Sequence, residues 1–381
     1  MNTIAENSQI LNQKIIDSLY PYQVDSLCRK VREYITLNEE ADKYYFDECP
    51  KCHDKNATFS HGGYTYKKDK TRYKPLLKCS SCHARFVSDR GQLSFYSHLD
   101  KGIWNKIMED TLNGVSMLET AAEVNIHPVS VFRNRHKLLN FIEKQEKDNN
   151  ASGVIELDEA YVSESHKGLV DACINENTVE ITVHNEADKP GLSNDKVCII
   201  TAVSRESVSY VRSFNTGKPS HEDVKPLSEH ILNSSYVLSD GITVYEKMLK
   251  DKGCRYKELI DIEEYDKLNH LNNVNSFHSR IKEDVRRYRG TNSIYANRYN
   301  ALYSLKQKYL GYDTKEIQLK LLCSFHKSVH YFFQRQMRED IFDDPHVLEK
   351  RKNLIPAIQI GMLRKKGYII CYRKAVNNNN T

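Results

Sequence analysis

Apolar residues recur along the chain in two rhythms, and the change between them divides it. From Asn7 to Asn38, Ile10, Ile15, Leu19, Val24, Leu27, Val31 and Ile35 keep roughly helical spacing, broken at Pro21. Residues 99 to 140 are helical again. Ile103, Ile107 and Leu112 share one face, and Ser116 to Leu139 reads as helix, tight turn, helix. Ala121 and Ala122 permit close crossing, Asn125 suits the turn, and Pro128 suits the first turn of the second helix. A charged, polar linker at 143–152 follows. The rhythm then shortens to strands at 153–162, 196–203 and 207–214, with an irregular insert over about 165–195. Next come a helix at 221–232, a strand at 235–241, a helix at 244–250, a strand at 256–260 and a long helix at about 272–288.

The order β-β-β-α-β-α-β-α predicts an α/β, ribonuclease-H-like core. Within it, Glu156 and Asp158 sit two apart on the first strand and point to one face. A carboxylate in a mostly apolar strand is costly unless paired or bound to metal, although a half-solvated strand fits the same letters. In this topology the first and fourth strands are neighbours, so Asp158 and Asp240 approach each other. Mg²⁺ is held by one or two carboxylates, waters and substrate phosphates, and two such ions serve phosphoryl chemistry. On the closing helix, Val274, Phe277, Ile281, Val285 and Tyr288 form the packing face, and Asn275, His278, Ser279 and Lys282 the adjacent polar one. That spacing lets Asn275 reach a metal and Lys282 a phosphate; a solvated face is the plainer reading.

Charge and cysteines add the rest. The 381 residues carry 56 Lys and Arg against 51 Asp and Glu, a net charge of +5, with 24 Tyr and one Trp. That mildly basic balance suits a nucleic-acid partner without requiring one. No secretory signal and no apolar run long enough to span a bilayer are read, so a cytoplasmic protein, nucleoid-associated if bacterial, is expected. Cys49-Pro-Lys-Cys52 and Cys79-Ser-Ser-Cys82 have the spacing of two zinc knuckles, and four thiolates leave no open position, so the Zn²⁺ is structural; disulfides or free thiols are the other readings. Between the knuckles Lys67, Lys68 and Arg72 alternate with Tyr, which suits DNA phosphates or a solvated hairpin. Ser130, Arg133, Asn134 and Lys137 recur at i, i+3, i+4, i+7 on the second helix of the pair and would face outward to the major groove. Val131, Phe132, Leu138 and Leu139 would face inward; a plain helical hairpin is the alternative.

Asp158, Asp240 and Asn275-Ser-Phe-His-Ser-Arg-Ile-Lys282 together resemble the bacterial insertion-sequence transposases of the DDE superfamily, in the ISXO-like subgroup with a zinc ribbon. Gly191 to Val197, the Leu-Ser-Asp-Gly turn and Arg289-Gly290 carry the same likeness, which covers about 45 to 300. The resemblance implies an RNase H-like catalytic core, Mg²⁺ or Mn²⁺ at Asp158, Asp240 and Asn275, phosphate positioning by Lys282, and recognition of double-stranded terminal inverted repeats and target DNA by at least a dimer. Asn275 stands where the superfamily usually has Glu. It brings no charge, so Glu156, Glu159, Glu263, Glu264 and Asp266 are candidates to compensate, with Glu159 expected to point away from the face of Asp158. The implied organisation is a helical segment (1–44), zinc ribbon (45–96), helix-turn-helix (97–142), linker (143–152), transposase domain (153–290) and a helical, basic C-terminal extension (291–381). The rival readings are a sequence-specific DNA-binding regulator with a vestigial core, and a simple RNase H-like nuclease.

Overall fold

The structure, a computed structural model, describes the chain apart from residues 1–17, 42–45, 47, 91, 92, 96, 147–149, 166, 167, 184–195, 207, 208, 242, 260–265, 289, 290, 328–353 and 375–381. Glu263, Glu264, Arg289, Gly290, most of the Gly191–Val197 segment and most of the helices expected over 315–352 lie outside the described residues. Contacts divide the chain into two compact units, Met1–Asn105 with Tyr312–Tyr331, and Lys106–Gly311 with Phe332–Thr381.

The first unit contains helix α1 (Pro21–Ala41), strands β1 (Phe59–Tyr66), β2 (Arg72–Cys79) and β3 (Arg85–Val87), and helix α9 (Thr314–Lys327). The strands form one antiparallel sheet in the order β1-β2-β3. Its small core is Phe46, Phe59 and Phe86 packed edge-on around the buried Cys49 and Cys79. Helix α1 packs on α9, with Glu33 Oε1 2.6 Å from Lys320 Nζ. The first turns of helix α2 (Lys101–Asn113) also belong here, where Trp104 donates its indole N–H to Ser97.

The second unit continues with α3 (Met117–Glu123) and α4 (Pro128–Glu146). Ser116 and Glu119 form a capping box at the start of α3, and Asn125 takes φ 51° in the turn, a conformation Asn tolerates. Arg135 is buried inside this pair, donating to the carbonyl of Val115 and the hydroxyl of Thr120. Helix α4 packs on α8 (Ala296–Lys308) through Phe132, His136, Tyr295 and Tyr299.

The main sheet is built from β4 (Val154–Ser163), β7 (Lys196–Ser204), β8 (Ser209–Thr216), β9 (Tyr236–Ser239) and β10 (Arg255–Glu258). Its order is β10-β9-β4-β7-β8, with β4, β9 and β10 parallel and β7 and β8 antiparallel. That is the ribonuclease-H-like arrangement, and it puts the first and fourth strands side by side as expected. Alternate positions on β4 face opposite ways. Ile155 and Leu157 join a core with Val224 and Leu227 of α5 (His221–His230) and Tyr245, Met248 and Leu249 of α6 (Thr243–Asp251). Glu156 and Asp158 look the other way, toward α7 (Asn272–Arg287).

Two expectations are corrected. The insert is not irregular throughout: Leu169–Ile174 (β5) and Thr178–Val183 (β6) form a hairpin. Nor is the C-terminal extension simply helical. Leu354–Pro356 (β11) pairs with β5, and Ile369–Lys374 (β12) pairs with β6, giving the sheet β11-β5-β6-β12. Helix α10 (Ala357–Lys365) connects them, and its Ile360 and Leu363 pack with Val170, Val179, Ile181 and Ile370. Each piece has too few apolar residues to read as an element with a core of its own, and the pairing supplies the missing half.

Candidate active site

Strand β4 brings Asp158 to the edge of the second unit's α7 face. The parallel ladder sets Leu157, midway along β4, beside Ser239, the last residue of β9, so Asp240 leaves the sheet next to Asp158. Gly241 follows at φ 101°, where a Cβ would overlap the Glu258 carboxylate, so only glycine makes this turn. Oxygens of Asp158, Glu159 and Asp240 all lie within 4.8 Å of one another. Burial, and then the Asp158 charge, push the Asp240 carboxyl above its usual range. Glu159 is pushed up to about 8, by burial first and then by Asp158 and Asp240. The raised Glu159 and Asp240 carboxyls stand beside Asp158 in an all-oxygen set, a donor chemistry that suits a hard divalent ion.

Glu159 corrects the sequence reading. It does leave from the opposite face, as strand alternation demands, toward Tyr245, whose hydroxyl donates to it. Yet its carboxylate still reaches the cluster, because Asp240 stands at a strand end. Alternation fixes a side chain's face and not the reach of its tip.

Helix α7 meets β4 at two levels. His278 Nδ1 lies 3.4 Å from Asp158 Oδ2, with His278 almost wholly buried. Asn275 and Lys282 are exposed, at three residues before and four after His278, so they flank it along the same side of the helix. Glu156, considered a compensating ligand from the sequence, is committed elsewhere. It is fully buried, accepts N–H bonds from Asn273 and Val274, and has Arg205 and His270 nearby. Asp266 likewise accepts from the backbone of Leu268 and Asn269 and holds its own loop. Nothing in the letters distinguished His278 from its polar neighbours; its partner lies 120 positions away in sequence.

In the first unit the four knuckle cysteines converge, with Sγ atoms within 4.8 Å of one another. Cys49 and Cys82 stand 3.7 Å apart and Cys52 and Cys79 4.0 Å. Sulfurs tetrahedrally placed around Zn²⁺ are about 3.8 Å apart, so the spacing fits that ion. The two knuckles share one turn. His53 and His83 donate to the carbonyls of Cys49 and Cys79 and take φ 58° and 56°. Burial raises the Cys49 thiol, but N–H groups of Cys52 and Lys51 outweigh it and bring it down to about 6.

The surfaces expected to meet DNA are mixed. Lys67, Lys68 and Arg72 are exposed at the β1–β2 turn, with Arg72 over the Tyr64 ring. Arg133 is exposed, and Ser130 and Lys137 are partly so. Asn134 is a correction: it is buried and donates to the Ser130 carbonyl 2.7 Å away instead of facing outward. On the helix Asn134 lies beside the buried Leu138 and Phe141, on the side away from Phe132 and His136, so the buried face is wider than the apolar pattern suggests. Val131, Leu138 and Leu139 are buried as expected, and Phe132 partly so.

Residues 150–309 match the family described as the ISXO2-like transposase domain. No curated protein matches the chain. Among solved structures, the catalytic core domain of BIV integrase is similar at 16% identity, over 45% of this chain and 95% of that one, with a TM-score of 0.26. At that score the likeness carries no argument. Among the described residues, no helix is long and apolar enough to cross a membrane.

Proposed function

We propose that the chain, whose residues 150–309 match the ISXO2-like transposase domain family, is a DNA transposase of the DDE polynucleotidyl transferase kind that binds the terminal inverted repeats of an insertion sequence and cuts and joins DNA strands at Asp158, Asp240 and Asn275. The observation that carries this reading is the convergence of the Asp158, Glu159 and Asp240 carboxylates where β9 ends beside the middle of β4 within that domain.

Asp158 and Asp240 would hold Mg²⁺ or Mn²⁺, with Glu159 adding a third carboxylate and Asn275 a neutral amide oxygen from α7; when bound, the ion would supply activation of the attacking oxygen and charge stabilisation of the leaving one. His278 keeps Asp158 oriented. Lys282, one turn further along the exposed side of α7, draws the scissile phosphate toward the carboxylates and offsets its charge. Water would attack a phosphodiester and break its P–O3′ bond, leaving a 3′-hydroxyl and a 5′-phosphate; that 3′-hydroxyl would then attack a target phosphorus in line, joining to it as the target's own 3′-oxygen leaves and takes up a proton. The Asp158 and Asp240 carboxylates repel phosphate by themselves, so placement of the scissile phosphate would depend on the ion and on Lys282 together.

The flanking parts deliver the ends. Cys49, Cys52, Cys79 and Cys82 hold a structural Zn²⁺ and stiffen the ribbon whose Lys67, Lys68 and Arg72 meet phosphates. The pair α3 and α4 acts as a helix-turn-helix, with Arg133, Ser130 and Lys137 toward the groove. Two ends must be joined, so at least a dimer works on them. The domain division 45–96, 97–142 and 153–290 follows the same logic.

The test is strand transfer by purified protein with Mg²⁺ or Mn²⁺ and labelled DNA from the gene's flanks. Joined products with the native chain and none with Asp158→Ala or Asp240→Ala support the reading. Specific binding with no cleavage in either metal favours a DNA-binding regulator with a vestigial core. Cleavage indifferent to the flank sequence favours a plain nuclease.

A further inference from the structure

We infer that Glu156 is a positioning residue: from the neighbouring strand it caps the helix that carries Asn275 and Lys282, and so fixes their height relative to Asp158. The inference rests on the transposase reading for its consequence, but its structural part stands alone.

Helix α7 begins without a cap of its own. Its N-cap residue is Leu271, at φ −111°, and no side chain there accepts an N–H. The first amides of a helix have no partner within it, and an N-cap side chain normally takes those of the second or third residue. In α7 those residues are Asn273 and Val274. Both donate instead to Glu156 Oε2, at 2.8 and 3.1 Å. The Asn273 side chain adds a third bond, to Oε1 at 2.6 Å. His270 Nδ1, in the flank, accepts only the Asn272 N–H, at 3.4 Å, and strand β4 supplies the acceptor for the next two amides.

The carboxylate is fully buried, and a buried carboxylate is sustained only by compensation. The positive end of α7 provides part. Arg205 provides more, with Nε 3.4 Å from Oε1, and its Nη2 also donates to the Leu268 carbonyl at 2.5 Å. His270 Nδ1 lies 3.4 Å from the same Oε1. Strand β4, the β7–β8 turn and the segment entering α7 therefore meet at one side chain.

The register explains why this bears on the reaction. Glu156 and Asp158 are two residues apart on one face of β4, about 7 Å. Val274 and His278 are four residues apart on α7, about 6 Å. Glu156 pins the first and Asp158 meets the second, so strand and helix are matched at two levels. Asn275 follows the pinned residue directly. A slide of α7 by one residue, about 1.5 Å, breaks every Glu156 bond and carries Asn275 and Lys282 away from Asp158.

The test compares the full chain with Glu156→Gln, which keeps the shape and removes the charge. Amide hydrogen exchange at Asn273 and Val274 is measured without metal or DNA, then single-turnover cleavage and affinity for the flanking DNA. The expected result is exchange about ten- to hundredfold faster at those two amides, cleavage down by about a hundredfold, and unchanged DNA affinity. Should Glu156→Gln not fold, Asn273→Ala removes one of the three bonds and is expected to shift both readouts the same way, by less. Native exchange at both amides overturns the cap. Native cleavage by a variant with fast exchange overturns the positioning role. An inactive native chain overturns the transposase reading and leaves the exchange result to decide the cap.

Discussion

His278 faces Asp158 across the seam between α7 and β4, Nδ1 to Oδ2, while its Nε2 is buried and has no hydrogen-bond partner among the described residues. An imidazole held this way restricts the carboxylate to one orientation and shields one side of it from water. Partners that orient a metal-binding carboxylate typically govern affinity by ten- to a hundredfold. His278→Leu, which keeps the packing and loses the contact, is expected to weaken Mg²⁺ or Mn²⁺ binding by about that factor. DNA-end affinity should not change. Metal titration by calorimetry checks this, and unaltered metal binding sinks the orienting role.

The carboxylate trio predicts a stability effect of opposite sign with and without metal. Burial first and then the Asp158 charge raise both Glu159 and Asp240, so the metal-free cluster is partly self-repelling. Asp158→Asn should stabilise the metal-free protein by about 1 kcal/mol, the low end for charges a few ångströms apart at a partly solvated site. Divalent metal at a hundred times its dissociation constant should stabilise the native chain by about 2.7 kcal/mol and the variant by much less. Thermal unfolding with and without Mg²⁺ gives both numbers.

His136 predicts an acid limb in stability. It is held down to about 3, by burial first and then by the charges of Arg298 and Arg135. In the unfolded chain it titrates near 6.5. Below that pH the unfolded chain gains a proton that the folded one refuses, so this contribution is complete above about 6.5 and declines as pH falls toward 3. The loss should be on the order of a few kcal/mol. In His136→Phe, with the ring still packed between Phe132 and Tyr295, urea unfolding at pH 7 and pH 4 should differ much less than in the native chain. An equal acid limb in both proteins contradicts the assignment.

The four-cysteine cluster predicts one Zn²⁺ per chain. Stripping it with a strong chelator should release that zinc to a colorimetric dye and open residues 46–88 to protease, because the aromatic core of the ribbon is assembled on Cys49 and Cys79. Cys49→Ser should be cleaved there without chelator. Four free thiols in a natively purified, zinc-free and protease-resistant protein would contradict a metal site.

Much of this was legible in the letters. The CxxC pairs, the strand with Asp158 and the long helix from Asn272 are local signals, each complete within a short window. Asn125 and Pro128 marked the α3–α4 turn for equally local reasons. What escaped the reading depends on partners far off in sequence. The β5–β6 hairpin needs β11 and β12; Asn134 is buried by what α4 packs against; Glu156 becomes a cap only when Asn273 arrives. Glu159 escaped for a different reason, since side-chain length lets a residue on one face serve the other at a strand end.

Thr178 pairs with Ile369 and Val183 with Lys374, so β6 finds its neighbour from the far side of the whole catalytic sheet. During synthesis that strand edge stays open until the distal residues have emerged, and long-range pairing of this kind forms slowly. The sheet around the hairpin is thus incomplete until β11 and β12 are available. A fragment cut at residue 309, where the family match ends, retains the hairpin and discards both covering strands. Its exposed edges invite self-association, and a soluble fragment has to keep the chain through β12.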